Sequence, residues 1–391
     1  MFLEKTMERN PGLIDCAFDL HARGLILPDT YILDLDAIEE NARAMKEEAD
    51  RYGIDLYFML KQIGRSPLIA AKLMEIGFRG AVCVDFKEAL TMIDNGIHIA
   101  NVGHLVQILK AAMKKILSAG PDYVTIYSNE IIREIDEICE ELGRIQKVLI
   151  RLSDGDSTLY SGQEGGFHSS ELEELYQLIG SLKHVELGGF TVFPALLYSE
   201  EEGRIVPTDN IRALNRGLQF AEEKGLKDLN INLPSASCSA SIPLISELHG
   251  TSGEPGHGLT GTTPLHKHSD QPEKPAYVYV SEISHSYEGR SFCYGGGHYR
   301  RSHMENVLVG RNRSEAQLMK VIAPSEESID YHYEIKGRCE VGDCAVMAYR
   351  TQVFTTRSQV AVVKGIQKGE ACILGIYDAL GERIRYQWDA E

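Results

Sequence analysis

The stretch Leu56–Gly64, LYFMLKQIG, places a short apolar run of strand type directly before a lysine. The strand-like run leads directly into Lys61-Gln62-Ile63-Gly64. Outward from this point the chain alternates short runs rich in Val, Ile, Leu and Tyr with longer segments of helical periodicity. Strands are expected at Leu56–Leu60, Ala81–Val84, Ile97–Val102, Tyr123–Tyr127, Val148–Leu152, Val185–Phe193, Leu229–Leu233 and Ser246–His249. Helical patterns separate most of them, at Pro67–Ile76, Phe86–Asn95, Leu105–Lys115, Glu130–Leu142, Ser170–Ser181 and Asn210–Lys224. Eight strands with intervening helices describe a (β/α)₈ TIM barrel over residues 36–265. A doubly wound sheet gives a similar rhythm with fewer strands.

The rhythm stops near Leu265. The polar, proline-bearing tract HKHSDQPEKP (His266–Pro275) reads as a linker. Beyond it, AYVYVSEIS, CAVMAYRTQVF and SQVAVVKGI alternate as strands do, so residues 266–391 read as a mostly β domain. Tyr31–Leu35 is also strand-like. It can cross back to that domain instead of joining the barrel, in which case residues 1–35 contribute to the β half.

A chain of 391 residues suits a barrel plus a second unit. Its hydrophobic fraction of 43% and charged fraction of 25% are ordinary globular values. The formal charge of −17 disfavours nucleic acid and anionic membrane surfaces as partners. An anionic ligand would therefore need local help from loop amides or helix N-termini. The start, MFLEKTMERN, has no apolar core of signal-peptide type, and the eight scattered cysteines contain no C-x-x-C pair. Reduced thiols in a cytoplasmic protein are expected.

Chemistry in a barrel gathers at the C-terminal ends of its strands. Lys61 stands at such an end. Among apolar neighbours its amine can lose its charge and act as a nucleophile toward a carbonyl group. The plainer reading is a surface lysine closing a strand. No G-x-S-x-G, H-E-x-x-H or P-loop appears, and the glycines Gly295–Gly297 lack dinucleotide-loop spacing.

Four segments in order carry a resemblance. YILDLDAIEENARAM (from Tyr31) is similar to the "DLDAIxxN" strand and helix that open alanine racemases. YFMLKQIGRSP is similar to the segment ending in their pyridoxal phosphate (PLP) lysine. GEPGHGLTG resembles "RPGIALYG", with Pro255, Gly256, Gly258, Leu259 and Gly261 in register, and FCYGGGHYRR resembles "GYGDGYPR". The chain thus resembles the alanine racemase-like, fold-type III PLP family, a barrel followed by a β-domain. The resemblance implies PLP on Lys61, catalysis by Lys61 and Tyr294 on opposite faces of an amino-acid Cα, and a homodimer whose subunits share their active sites.

The departures matter as much. Where the racemases place an arginine on the pyridine nitrogen, this chain has Glu254, as do decarboxylases with an "EPGR" turn. A carboxylate there favours a protonated, more strongly electron-withdrawing ring. The plainer alternative is a loop acid facing water. Phe193 falls where relatives have an imidazole over the ring, and can stack or simply fill the barrel core. Arg65 takes the place of a tyrosine after the lysine, as a ligand of phosphate or substrate carboxylate, or as an exposed side chain. Arg151, at the end of strand five, is a substrate carboxylate clamp or a structural ion pair. Ser235, Ala236 and Ser237 after strand seven, with Gly256 and His257 after strand eight, are the expected phosphate ligands.

Relatives with a divalent ion carry an H-x-C or H-x-D pair in the β-domain; the one H-x-D in this sequence, His268-Ser269-Asp270, falls in the linker tract, so no metal is expected. His266, His268, His298 and His303 read as surface residues. The leading expectation is an amino-acid racemase. A PLP decarboxylase or lyase, a non-catalytic PLP-binding protein, and a PLP-free barrel isomerase of sugar phosphates are the alternatives.

Overall fold

The computed structural model describes residues 2–385, so residues 386–391 of the expected β-domain lie outside the described residues. The chain forms two compact units. One contains Ala44–Leu60 and Ala70–Gly256; the other contains the preceding residues through Arg43, the segment Lys61–Ile69, and everything from His257 onward.

The chain begins with two helices, α1 (Phe2–Arg9) and α2 (Pro11–Ala22), and a strand, β1 (Thr30–Asp34). Asn10 caps α2, its side-chain oxygen accepting from Leu13 N–H, and Pro11 sits in the first turn where no backbone donor is needed. Strand β1 belongs to the second unit. It pairs antiparallel with β12 (Tyr277–Tyr287) and parallel with β18 (Gln359–Lys364). The long helix α3 (Leu35–Tyr52) then leads into the barrel.

The barrel strands are β2 (Asp55–Leu56), β3 (Ala81–Cys83), β4 (Ile99–Val102), β5 (Tyr123–Ile126), β6 (Gln146–Arg151), β7 (Val185–Thr191), β10 (Asn230–Asn232) and β11 (Ser252–Gly253). They lie parallel in the order β2-β11-β10-β7-β6-β5-β4-β3. The ring closes where Phe58, just past β2, bridges Ala81: its N–H donates to Gly80 O at 3.0 Å and its carbonyl accepts from Val82 at 2.8 Å. The expected (β/α)₈ architecture is therefore observed. Asparagines and small hydroxyls run through the interior, with Thr125 donating to Asn101, Thr191 to Asn232, and Ser252 to Asn230. Gly189 is required by this packing. Its φ is +148°, and a Cβ there would fall 1.9 Å from Asn230 O.

Two expectations need correction. The eighth strand is not Ser246–His249. Ile242–Glu247 is a helix with Pro243 in its first turn and Ile242 and Ile245 buried three apart; His249 then adopts φ +60° beyond its end. The strand itself is the two-residue β11, too short to show a period. In addition, a hairpin of β8 (Leu196–Ser199) and β9 (Arg204–Pro207) follows β7.

In the second unit, β12, β13 (Arg290–Tyr294), β14 (Asn306–Gly310), β15 (Gln317–Ile322), β16 (His332–Lys336), β17 (Cys344–Met347), β18, β19 (Cys372–Tyr377) and β20 (Arg383–Ile384) join β1 in a ten-stranded sheet. All pairs are antiparallel except β1–β18. Leu13, Ile14, Ala17 and Phe18 of α2 pack against Val278, Val280 and Val346 of this sheet. The tract His266–Pro275 is held, not free. Arg9 donates to the Gln271 and Glu273 carbonyls, Lys5 pairs with Asp270, and Asn10 donates to Pro275 O. No helix among the described residues is long and apolar enough to cross a membrane.

Candidate active site

At the C-terminal end of β4 the chain turns through Gly103, with φ +86°, where a Cβ would meet Thr125 O at 2.6 Å. This turn delivers His104, fully buried, into the mouth of the barrel. Its Nε2 lies 3.8 Å from Glu254 Oε2, and both side chains are wholly removed from solvent. The His104 ring also meets Phe193 edge-on at 5.2 Å between centroids. Glu254 therefore does not face water. Phe193, half-buried just past β7, lies at the strand-end layer and not in the barrel core.

Arg151, the last residue of β6, is 1% exposed. One guanidinium nitrogen donates to the Tyr127 hydroxyl, and another donates to Gln163 O at 2.7 Å. Tyr127 in turn donates to His104 O. The guanidinium lies 4.9 Å from the Tyr127 ring centroid and 5.7 Å from that of Phe193. Gln163 belongs to the long loop after β6, whose Tyr160 also packs on Phe193. No carboxylate among the described residues stands within ion-pair distance of Arg151, so it is not the structural ion pair of the plainer reading. A buried guanidinium surrounded by neutral acceptors and ring faces is matched only when an anion joins it.

After β10, Ser235 and Ala236 adopt successive left-handed conformations, with φ +86° and +50°. Two such residues in a row cost about 1 kcal/mol each. The Ser235 hydroxyl donates to Leu196 O, which ties this turn to the β8–β9 hairpin. Ser237 accepts from Glu254 N–H at 3.1 Å, joining the turn to the end of β11. Small side chains on a left-handed turn, and a buried Glu254 carboxylate on a residue whose backbone N–H is bonded to Ser237, fit a group that is anionic at one end and a nitrogen heterocycle at the other. PLP is such a group.

In the second unit, Lys61 opens a 3₁₀ turn, Lys61–Ile63. Arg65 follows with φ +55° and is 1% exposed, its guanidinium 5.1 Å from the Phe354 centroid, so it is not the solvent-exposed side chain of the alternative reading. His257 sits in the turn His257–Thr260 with Nδ1 3.3 Å from Thr262 Oγ1. Burial, reinforced by the positive charges of Arg350, Lys61 and Arg301, holds its imidazole well below the ordinary histidine range. It is neutral there, amid cations that favour an anion. Gly256 is buried immediately before it.

Tyr294 closes β13 and is 41% exposed, one of the few large aromatics left open to solvent. Its carbonyl accepts from Ser281 Oγ at 2.7 Å and Tyr279 OH at 3.2 Å. Cys293 points the other way; burial pushes its thiol up to about 12. Of the four histidines expected at the surface, His266 is buried instead, between Thr263 and Glu273.

Sequence reasoning missed His104, Tyr127 and Gln163. A histidine directly after a glycine at a strand end, as in NVGH, is the signal that could have found the first.

The alanine racemase N-terminal domain model matches residues 33–264, and the YhfX-like C-terminal domain model matches residues 278–373. The uncharacterised protein YhfX of Escherichia coli (strain K12) is 40% identical over 388 residues, which is 98% of this chain and 100% of that protein. An alanine racemase of Methanococcus maripaludis is 25% identical over 274 residues, covering 67% of this chain and 69% of that one. Among solved structures, a D-threonine aldolase from Filomicrobium marinum superposes with a TM-score of 0.68 at 14% identity, over 91% of this chain and 95% of that one. That last likeness shows the shared fold. The chain belongs to the alanine racemase N-terminal-domain family, a family of fold-type III PLP-dependent enzymes, and carries a YhfX-like C-terminal domain.

Proposed function

We propose that this protein is a PLP-dependent enzyme acting at Cα of an amino acid, as a racemase. The observation that carries this reading is the buried carboxylate of Glu254, a residue whose backbone N–H donates to Ser237 beside the left-handed Ser235–Ala236 turn. PLP, when bound, supplies an aldehyde that takes up amines and a ring that withdraws electrons from Cα. The chain supplies the rest. Lys61 holds the cofactor and moves a proton on one face of Cα; Tyr294 moves a proton on the other. Ser235, Ser237, Gly256 and His257 bind phosphate, with Arg65 as a further anion ligand. Glu254 accepts a hydrogen bond at the ring nitrogen and Phe193 packs near the ring. Arg151 binds the substrate carboxylate.

Tyr294 acts on the Cα held by another subunit in this reading, so the protein works as a homodimer. Its exposure supports that, because a phenol left open at the end of a strand is available to a second chain.

The purified protein should show a visible absorbance band that borohydride reduction fixes to Lys61. Lys61→Ala should lose it. A colourless protein that gains no band with added PLP would overturn the reading. Deuterium exchange at Cα, over a panel of L- and D-amino acids in heavy water, then finds the substrate. Glu254 favours one second reading, a decarboxylase, because a protonated ring also serves loss of carbon dioxide. Carbon dioxide release in place of Cα exchange would select it.

A further inference from the structure

We propose that Tyr127 is a positioning residue for Arg151: its hydroxyl holds one end of the guanidinium, so that the Nε–H edge is presented to a substrate carboxylate. This rests on the reading above, in which Arg151 binds that carboxylate, and says what aims it.

The strand register brings the two side chains together. β5 and β6 run parallel with Ile126 opposite Ile150, so Tyr127 and Arg151 leave neighbouring strand ends one step later, on the same side. The Tyr127 hydroxyl is used twice: it accepts from one terminal nitrogen of Arg151 and donates to His104 O. Burial raises the phenol above its ordinary range, so it stays protonated and can do both. The loop after β6 closes on the pair. Gly165 and Gly166, with φ +143° and +124°, approach so closely that a Cβ would fall 2.8 Å from a ring carbon of Tyr127 and 2.7 Å from Arg151 O. Gln163 O, at 2.7 Å, accepts from the second terminal nitrogen.

With both terminal nitrogens engaged, Nε is the guanidinium nitrogen left over. It is buried and meets no acceptor, in a residue that is 1% exposed. A buried N–H without an acceptor is costly, so this edge of the side chain is complete only with a ligand. Arginine holds a carboxylate best through two parallel N–H groups, and Nε–H with the second N–H of a terminal nitrogen makes such a pair. A carboxylate arriving there displaces neither Tyr127 nor Gln163. Without the phenol the guanidinium keeps its charge but loses its fixed direction, and ordering it again on binding costs affinity. Tyr127 therefore acts on the acid through Arg151 and needs no contact with substrate.

The test uses glycine and glycinamide, which differ in the carboxylate and have no side chain, with dissociation constants read from the visible spectrum of the PLP-loaded protein. Tyr127→Phe keeps the ring and loses the hydroxyl. Glycine binding should weaken roughly tenfold to a hundredfold, as for loss of a hydrogen bond to a charged group, while glycinamide binding is unchanged. In an Arg151→Leu background the Tyr127 substitution should have no further effect on glycine, because the group it acts through is gone. Equal weakening of both ligands, or of neither, overturns the role of Tyr127 while leaving PLP binding intact. A second measurement needs no Tyr127 variant. With ¹⁵N-labelled arginine, the Nε–H signal that is missing from Arg151→Leu should shift when glycine is added to the wild type and stay in place with glycinamide. A signal that ignores glycine overturns the proposal. A wild-type protein that takes up no PLP overturns both it and the reading on which it rests.

Discussion

Two of the buried polar clusters among the described residues are built on opposite plans. In the β unit, five tyrosines (31, 277, 279, 333 and 349) pack ring against ring and satisfy one another. Thr351 donates to Tyr31 OH, Tyr31 and Tyr349 share a hydroxyl contact, Tyr277 donates to Tyr349 O, and Tyr333 donates to Gly297 O. Burial pushes all five phenols above their ordinary range, so they stay neutral. In the barrel mouth, by contrast, Arg151 is charged and its hydrogen-bond partners are neutral. A network that closes on itself is a structural device. A buried charge whose complement is missing from its own unit is a binding device, and its cost is recovered only on ligation.

Arg151→Leu should break the comparison most visibly. Turnover should fall by about 2–5 kcal/mol in transition-state binding, roughly thirtyfold to several thousandfold, as for loss of one partner of a buried ion pair. The ligand-free protein should be no less stable, and gain about 1–2 kcal/mol, because an apolar side chain replaces a desolvated charge. A lower unfolding midpoint in urea would show instead that Arg151 is structural.

Tyr279→Phe should do the reverse. Its one hydroxyl proton lies within reach of Asp29 Oδ1 at 2.9 Å and Tyr294 O at 3.2 Å, so its loss leaves the carboxylate with Ser358 and the carbonyl with Ser281 as remaining donors. A stability loss of about 2 kcal/mol is expected, read from the urea midpoint. An unchanged midpoint would mean that the cluster is held by ring packing alone.

The same contrast explains what could be read from the chain. The tyrosines of AYVYV alternate with period 2, so the strand was legible even though its network was not. Lys61 stands out in the sequence because it ends an apolar run, and Glu254 because E-P-G resembles a turn of known pattern. His104 does not, since a single histidine after NVG has no period and its partner lies 150 positions away in the chain. The eighth strand failed for a related reason: Ser252–Gly253 forms only two ladder positions, while the neighbouring SELH looked like a strand and was the end of a helix. Helix α2 went unnoticed because its partners, Val278, Val280 and Val346, are remote in sequence.

Asp29 should sharpen the comparison with the smallest effect. It has φ +66°, and its carboxylate lies so close to Gly296 that a Cβ there would be 2.0 Å away. It thus holds the glycine loop after Tyr294, accepting from Tyr279 and Ser358. Burial, the dominant influence, raises its carboxyl to about 6, against the opposing pull of those donors and of Arg357. A folded-state value above the unfolded one means that the folded chain binds the extra proton between about pH 4 and 6. Stability from this group is therefore present at low pH and lost as pH rises through 6. The full shift corresponds to about 3 kcal/mol, and the part of Asp29 still open to solvent reduces the expected effect to about 1–2 kcal/mol. Asp29→Asn keeps an acceptor for both hydroxyls and removes the titration. Urea midpoints at pH 4.5 and 7 should therefore differ less in the variant than in the wild type, with the variant the more stable at pH 7. Identical pH dependence in the two proteins would place Asp29 among the ordinary surface acids. The Asp29 carboxylate of the tyrosine cluster would then cost nothing, and the two clusters would differ less than their geometry implies.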